Sequence, residues 1–247
     1  MKWHFVKPHY FIAFFFQSIA WIPWERTLKY VYGLEISGKS NLRKVKELRK
    51  KYKSGVLFVA KHTGELDIML VLTAISPFSS LFPMFYLTQK TSYYTSGDFG
   101  WRQYLYGRIL FYMFGAHPMG NNQHTYDALY DENKHSELLK LHTQFLKNGY
   151  SLSVFPEGKI PENGGFGDVH GAPAYMALQS GALVVPVAIK RKKNERNKEI
   201  IKLHYGEPLT PDKHLQPLEQ KTKHEPNMYK KITEHIMEQV KRDLKHL

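Results

Sequence analysis

Cysteine is absent from the 247 residues. Its absence excludes disulfides, thiolate metal sites and any thiol nucleophile. A reducing compartment fits this without being required by it. Acidic residues are few beside basic ones: 35 Lys and Arg face 22 Asp and Glu, a formal net charge of +13. Such a surface attracts an anion, whether nucleic acid, an acidic membrane or a phosphorylated substrate. Long hydrophobic runs are also missing. The strongest, Tyr10 to Trp24, is about 15 residues, short of the roughly 20 that span a bilayer core. Lys2 and Lys7 precede that run in imitation of a secretory signal. However, Pro23-Trp24-Glu25 follows instead of a small-residue cleavage site. No internal repeat, His-Glu-x-x-His or glycine-rich phosphate loop occurs. His135 and His142 lie two turns apart on one expected helix, outside the usual i, i+4 ligand pattern, so no metal is expected.

With 43% apolar and 23% charged residues, the chain has the composition of a globular protein and the length to bury a core. The apolar N-terminal run is crowded with Phe and Trp and flanked by Lys2, Lys7, Arg26 and Lys29. It reads as a helix lying in one membrane leaflet; a buried core helix is the alternative. Residues 28–37 read as a strand. Residues 39–53 form a basic amphipathic helix, either a plain surface helix or a contact for anionic lipid headgroups.

Residues 55–62 read as a fully buried strand and 66–76 as an apolar helix. Residues 82–90 read as a strand, 101–114 as an aromatic helix, and 135–148 as an amphipathic helix closed by Gly149. Strands follow at 150–155, 181–190 and 199–205, the last as an edge. Helices are expected at 172–180 and 227–246, with a linker-like stretch near 211–226. Alternating strands and helices predict an α/β fold: a mixed, largely parallel central sheet flanked by helices, with an N-terminal membrane-associated helical element. The expected division is residues 1–27 for that element and 28–247 for a catalytic domain.

Two stretches carry chemistry. In "VAKHTGELDI", residues 59–68, His62 stands where a buried strand ends, and a turn containing Gly64 leads into a helix. Functional groups of open α/β sheets gather at such ends. A histidine there can take a proton from a hydroxyl near neutral pH, given a carboxylate on its other ring nitrogen. Asp67, five residues on, can fold back to supply it. A strand-ending turn with a structural histidine is the plainer reading. In "SVFPEGKIPENGG", residues 153–165, a strand runs into Phe155-Pro156-Glu157-Gly158. Proline and glycine fix a turn that presents Glu157 beside His62 if the two strands are neighbours.

Taken in order, these motifs resemble the glycerolipid (lysophosphatidic acid type) acyltransferase family over about residues 30–210. "KHTGELD" is similar to its first motif, usually Asn-His-x-Ser-x-x-Asp. "FGAHPMGN" (114–121) stands in the place of its second. "FPEGKIP" is similar to its third, usually Phe-Pro-Glu-Gly-Thr-Arg-Ser. "HGAPAYMALQSGALVVPVAI" (170–189) is similar to its Gly-Ala helix and fourth, proline-containing strand.

The resemblance implies acyl transfer from acyl-CoA or acyl-carrier protein, as co-substrate and without a cofactor, to a hydroxyl of a lysophospholipid. His62 and Asp67 would be catalytic. Pro156, Glu157, Gly158, Lys159, Asn121 and Lys90 would bind substrate, and Pro186 would shape the pocket. Backbone N–H groups near Gly64 or Gly158 are candidate oxyanion donors. Anionic membrane lipids would be partners, at the cytoplasmic face of the cell membrane.

Departures fall where the family's arginines would grip phosphate: Asn121 in the second motif and Lys159-Ile160 in the third. Lys90, Arg102 or Arg108 could substitute, or the acceptor lacks a phosphate monoester. Lys61 replaces the usual asparagine and would favour the neutral form of His62. A basic nucleic-acid-binding protein would account for the charge but not the apolar N-terminus, and no nucleic-acid motif occurs. Nucleic acid is therefore not an expected partner. A drifted, non-catalytic lipid-binding relative is the third reading; retention of His62 and Asp67 argues against it.

Overall fold

The structure is a computed structural model that describes residues 6–64, 67–88, 112–118, 137–161, 164–223, 225 and 227–247. Lys90, Arg102, Arg108, Asn121, His135 and most of the expected 101–114 helix lie outside the described residues.

The described residues form a seven-stranded sheet. Its strands are β1 (Glu35–Ser37), β2 (Val56–Ala60), β3 (Met84–Thr88), β4 (Ala116–Pro118), β5 (Ser151–Val154), β6 (Leu183–Lys193) and β7 (Glu199–Tyr205). Their order is β1-β7-β6-β2-β5-β3-β4, and only the β6–β7 pair is antiparallel. The sheet is thus mixed and largely parallel, and both faces are covered by helices. β2 lies at its centre with all five residues buried, as a continuous apolar run requires. Strand alternation divides the core. Leu57, Val59, Val184 and Ala188 face a layer that includes α4 (Glu137–Lys147), α5 (Ala172–Ser180) and α7 (Met228–Lys245). Phe58, Ala60, Val185 and Val187 face α2 (Lys39–Tyr52) and α3 (Asp67–Thr73).

Three expectations need correction. The 28–37 segment is not a strand. Helix α1 runs Val6–Tyr32, beyond residue 27, and only Glu35–Ser37 pairs, in parallel, with β7. Burial of Leu28 on the helix's inner side outweighs the strand preference of Tyr30, Val31 and Tyr32, and Gly33 at φ 51° ends the helix. Residues 199–205 are not an edge, because those same three residues cover β7. The stretch 211–226 is not a linker: Pro211–Leu215 forms a π turn and Gln216–Thr222 forms α6, anchored by fully buried Leu215.

Pro186 sits in an interior strand, where a missing N–H should break a ladder. The antiparallel pairing of β6 with β7 begins only at Val187, and an isolated bridge joins Val184 to Leu209. The proline falls between them, and its carbonyl accepts from the Gly206 N–H at 2.8 Å.

The inner side of α1 is built into this core. Gln17 donates to the carbonyls of Met84 (2.7 Å) and Phe114 (2.8 Å) and accepts from the Met84 N–H. His9 donates from Nε2 to the Tyr112 carbonyl at 2.7 Å. Because a carbonyl only accepts, His9 Nδ1 must accept from His117 Nε2 (3.1 Å). His117 Nδ1 must in turn accept from His142 Nε2 (2.7 Å). One carbonyl therefore fixes three tautomers, in a chain of imidazoles joining α1, β4 and α4. Burial, with the neighbouring imidazoles, pushes His117 well below the usual histidine value, and burial lowers His9 against its carbonyl bond. Depressed values mean that the unfolded chain binds protons the folded one refuses. Stability is then present above about pH 6.5 and lost as the pH falls below it. Thermal unfolding followed from pH 7.5 to 5 should show a falling midpoint, with a flatter decline in His117→Leu; parallel declines would remove the histidine chain as the cause.

Candidate active site

His62 lies two residues beyond β2, on the sheet face that carries α3. Its Nδ1 is 3.0 Å from Asp67 Oδ2, and its ring stacks on Phe155 with centroids 4.6 Å apart. Asp67 opens α3, where the helix N-terminus favours a negative charge. It is 0% exposed and accepts five hydrogen bonds: from His62 Nδ1, the Thr63 N–H, Thr63 Oγ1 (2.9 Å), the Gly64 N–H (2.7 Å) and Arg191 Nη2 (3.0 Å). Burial pushes the Asp67 carboxyl up. The bonds from His62, Thr63, Arg191 and Gly64 outweigh it and hold the group below the usual carboxylate value.

Arg191, in β6, belongs to no motif in the sequence. Its fork reaches Asp67, Thr63 Oγ1 (3.1 Å) and Glu199 (3.1 Å). Burial disfavours its charge, but Asp67 and Glu199 outweigh that and raise it above the usual arginine value. Gly64 leaves room for the guanidinium: a Cβ there would stand 2.9 Å from Arg191 Nη2 and push it aside. Only the sheet register, which sets Ala60 beside Val187, brings β6 this close to a turn more than a hundred residues earlier. The charged end of the strand at 190–193 was the one available hint.

Glu157 does come beside His62, because β5 neighbours β2. Its carboxylate faces the protein's own backbone. The buried carboxylate accepts from the His62 backbone N–H at 2.7 Å and from the Gly167 N–H at 2.9 Å. It therefore clamps the histidine's backbone to the loop at 164–167. Gly158 takes φ 65° in the turn and donates its N–H to the Phe155 carbonyl. The Gly64 N–H likewise donates to Asp67, so neither glycine's own N–H points to an open position. Pro156 is buried, and Lys159 is exposed. Lys61 is buried and turns its ammonium to the Gly164 carbonyl (3.1 Å) and the Phe166 ring rather than to His62.

A cavity of about 380 Å³ adjoins His62, lined also by Lys61, Lys190, Arg191, Phe166 and Leu244. It joins apolar walls to positive charge. Among the described residues no group of side chains could hold a metal ion.

A histidine held by a buried carboxylate, at the strand ends of an α/β sheet, is an arrangement able to take a proton from a hydroxyl. Residues 33–190 match the family model named Acyltransferase, and the chain belongs to that family. Among solved structures it is similar to the 1-acyl-sn-glycerophosphate (LPA) acyltransferase PlsC from Thermotoga maritima. Identity is 18% and the TM-score 0.45, over 97% of this chain and 92% of that one. None of the curated proteins matches it in sequence.

The geometry makes Arg191 a positioning residue acting through Asp67. In Arg191→Met the Asp67 charge is left without its cation and favours protonated His62. The acid limb of the pH–rate profile for acyl transfer should then move to higher pH, and Arg191→Lys should move it back in part. A lower rate with an unmoved limb would reduce Arg191 to scaffolding.

Proposed function

We propose that the protein transfers a fatty acyl group from acyl-CoA or acyl-carrier protein to a hydroxyl of a lysophospholipid such as 1-acylglycerol 3-phosphate. The reaction takes place at a membrane surface, in phospholipid biosynthesis. The observation that carries this reading is the His62–Asp67 contact beside a basic, partly apolar cavity in a chain of the Acyltransferase family. Nδ1–H donates to Asp67, so Nε2 keeps its lone pair. Nε2 takes the acceptor's hydroxyl proton as the oxygen attacks the thioester carbonyl carbon. The new C–O bond forms and the carbonyl electrons move onto oxygen. When the tetrahedral species collapses, the C–S bond breaks and the departing sulfur takes the proton from His62. Ester and thiol leave and the ring is neutral again. The step needs no acyl-enzyme, which suits a chain without cysteine.

The outer side of α1 supports the membrane part of this reading. Phe11, Phe15, Ile19 and Ile22 recur at helical spacing and are all more than half exposed. No Asp, Glu, Lys or Arg occurs from Pro8 to Trp24. Pro23, inside the helix, is itself exposed, so the backbone bond it removes is lost on the outer side. Among the described residues no helix is long and apolar enough to cross a membrane. An apolar face on a core-docked helix fits burial in one leaflet, and the basic α2 adds charge for anionic headgroups.

Two measurements test the two parts. Acceptor-dependent thiol release from long-chain acyl-CoA, with a mixed lysolipid pool, should fall at least about 100-fold in His62→Ala while the variant still unfolds cooperatively well above the assay temperature. An equal rate would remove His62 as the base. Separately, Phe11→Ser with Phe15→Ser should shift the folded protein out of the vesicle-bound fraction on flotation with anionic liposomes; unchanged flotation would contradict docking through α1.

A further inference from the structure

We propose that the cavity beside His62 is a phosphate site, in which Lys61 and Lys190 hold a phosphate group of one of the two substrates. This rests on the acyl-transfer reading of the same cavity and supplies what the departures at Asn121 and Lys159-Ile160 left open.

Lys61 follows β2 and Lys190 lies in β6. By strand alternation both stand on the α7 face, in line with Val59 and Ala188. His62 and Arg191 occupy the opposite face of the same sheet end. The cavity touches all four. Arg191 is compensated by Asp67 and Glu199. The two lysines are not. Lys61 donates to the Gly164 carbonyl and Lys190 to the Leu244 carbonyl at 3.2 Å, and neither has a carboxylate partner among the described residues. An ammonium has three donors, so each keeps two beyond its carbonyl. Among the described residues that line the cavity there is no Asp or Glu.

Further positive charge crowds the same place. Lys241, from α7, lies over the same Phe166 ring as Lys61, at 4.9 and 5.4 Å from its centre. Lysines with no acidic partner among the described residues around a common cavity, one of them buried, cost the fold stability. A phosphate dianion would offset that cost and satisfy the spare donors, and lysine serves phosphate as a point charge without arginine's fork. The shared wall with His62 keeps such a phosphate close to the reacting hydroxyl and thioester.

A phosphate can reach this site from the acceptor, as a monoester near the hydroxyl, or from the donor, as the phosphates of CoA. The first test is independent of catalysis. Inorganic phosphate should raise the thermal midpoint of the wild-type chain and of His62→Ala by the same amount. The shift should at least halve in Lys190→Gln and Lys61→Gln and persist in Lys221→Gln, a change on the exposed surface of α6. Equal shifts in all variants overturn the site.

The second test finds the source. Lys190→Gln should raise KM about tenfold for a phosphate-bearing substrate and leave its phosphate-free counterpart unchanged, with kcat less affected. The pairs are lysophosphatidate against monoacylglycerol and acyl-CoA against acyl-pantetheine. A selective rise in the first pair assigns the acceptor, and one in the second pair assigns the donor. Equal KM changes across both pairs overturn the proposal. Phosphate stabilisation without acyl transfer to any acceptor would leave the site standing and remove the acyl-transfer reading.

Discussion

A single buried charge organises this end of the molecule. The Asp67 carboxylate has no exposed surface, and a lone carboxylate in such a place would be protonated rather than tolerated. Five donors make it affordable, and each sets a local constraint. The Thr63 and Gly64 N–H groups wrap the turn around it. A side chain at Gly64 would crowd the Arg191 guanidinium. Arg191 must itself be held, by Glu199 and Thr63. His62 is the one donor left free to do chemistry, because its second nitrogen faces away from the carboxylate.

Glu157 plays the complementary part on the backbone. By accepting the His62 N–H it fixes the main chain from which the imidazole hangs, while Asp67 fixes the ring and Phe155 supports its face. Three strands thus converge on one residue: β2 carries His62, β5 delivers Glu157 and β6 delivers Arg191. The sheet's two faces then divide the work. The α3 side holds the His62–Asp67 pair, and the α7 side holds Lys61 and Lys190, which have no acidic partner among the described residues. An O-acyl transfer needs both a base and a grip on its substrates, and a cavity across the sheet's end brings them together.

His62 and Asp67 were legible in the sequence because their contact is local: five residues, one turn, one helix start. The alternating strands and helices were legible for the same reason, since hydrophobic period is a short-range signal. Arg191 was not, because its role exists only through the pairing of β2 with β6. The place of Glu157 beside His62 was legible, but its bonds to two backbone N–H groups were not, for a motif gives position in the chain and not the direction of a carboxylate. Tyr30, Val31 and Tyr32 favour strand locally, and burial of Leu28 carried the helix through them. Leu215 was hidden in a polar stretch, where one buried side chain suffices to fold what composition reads as loop.

The central claim is that Asp67 holds the neutral His62 ring with its proton on Nδ1, leaving Nε2 as the base. Nitrogen-15 NMR of the histidine ring in folded protein, compared with Asp67→Asn, reads this directly. The account predicts the Nδ1-protonated tautomer in the wild type and a shift toward the Nε2-protonated form in the variant. A wild-type ring protonated on Nε2 when neutral would contradict it.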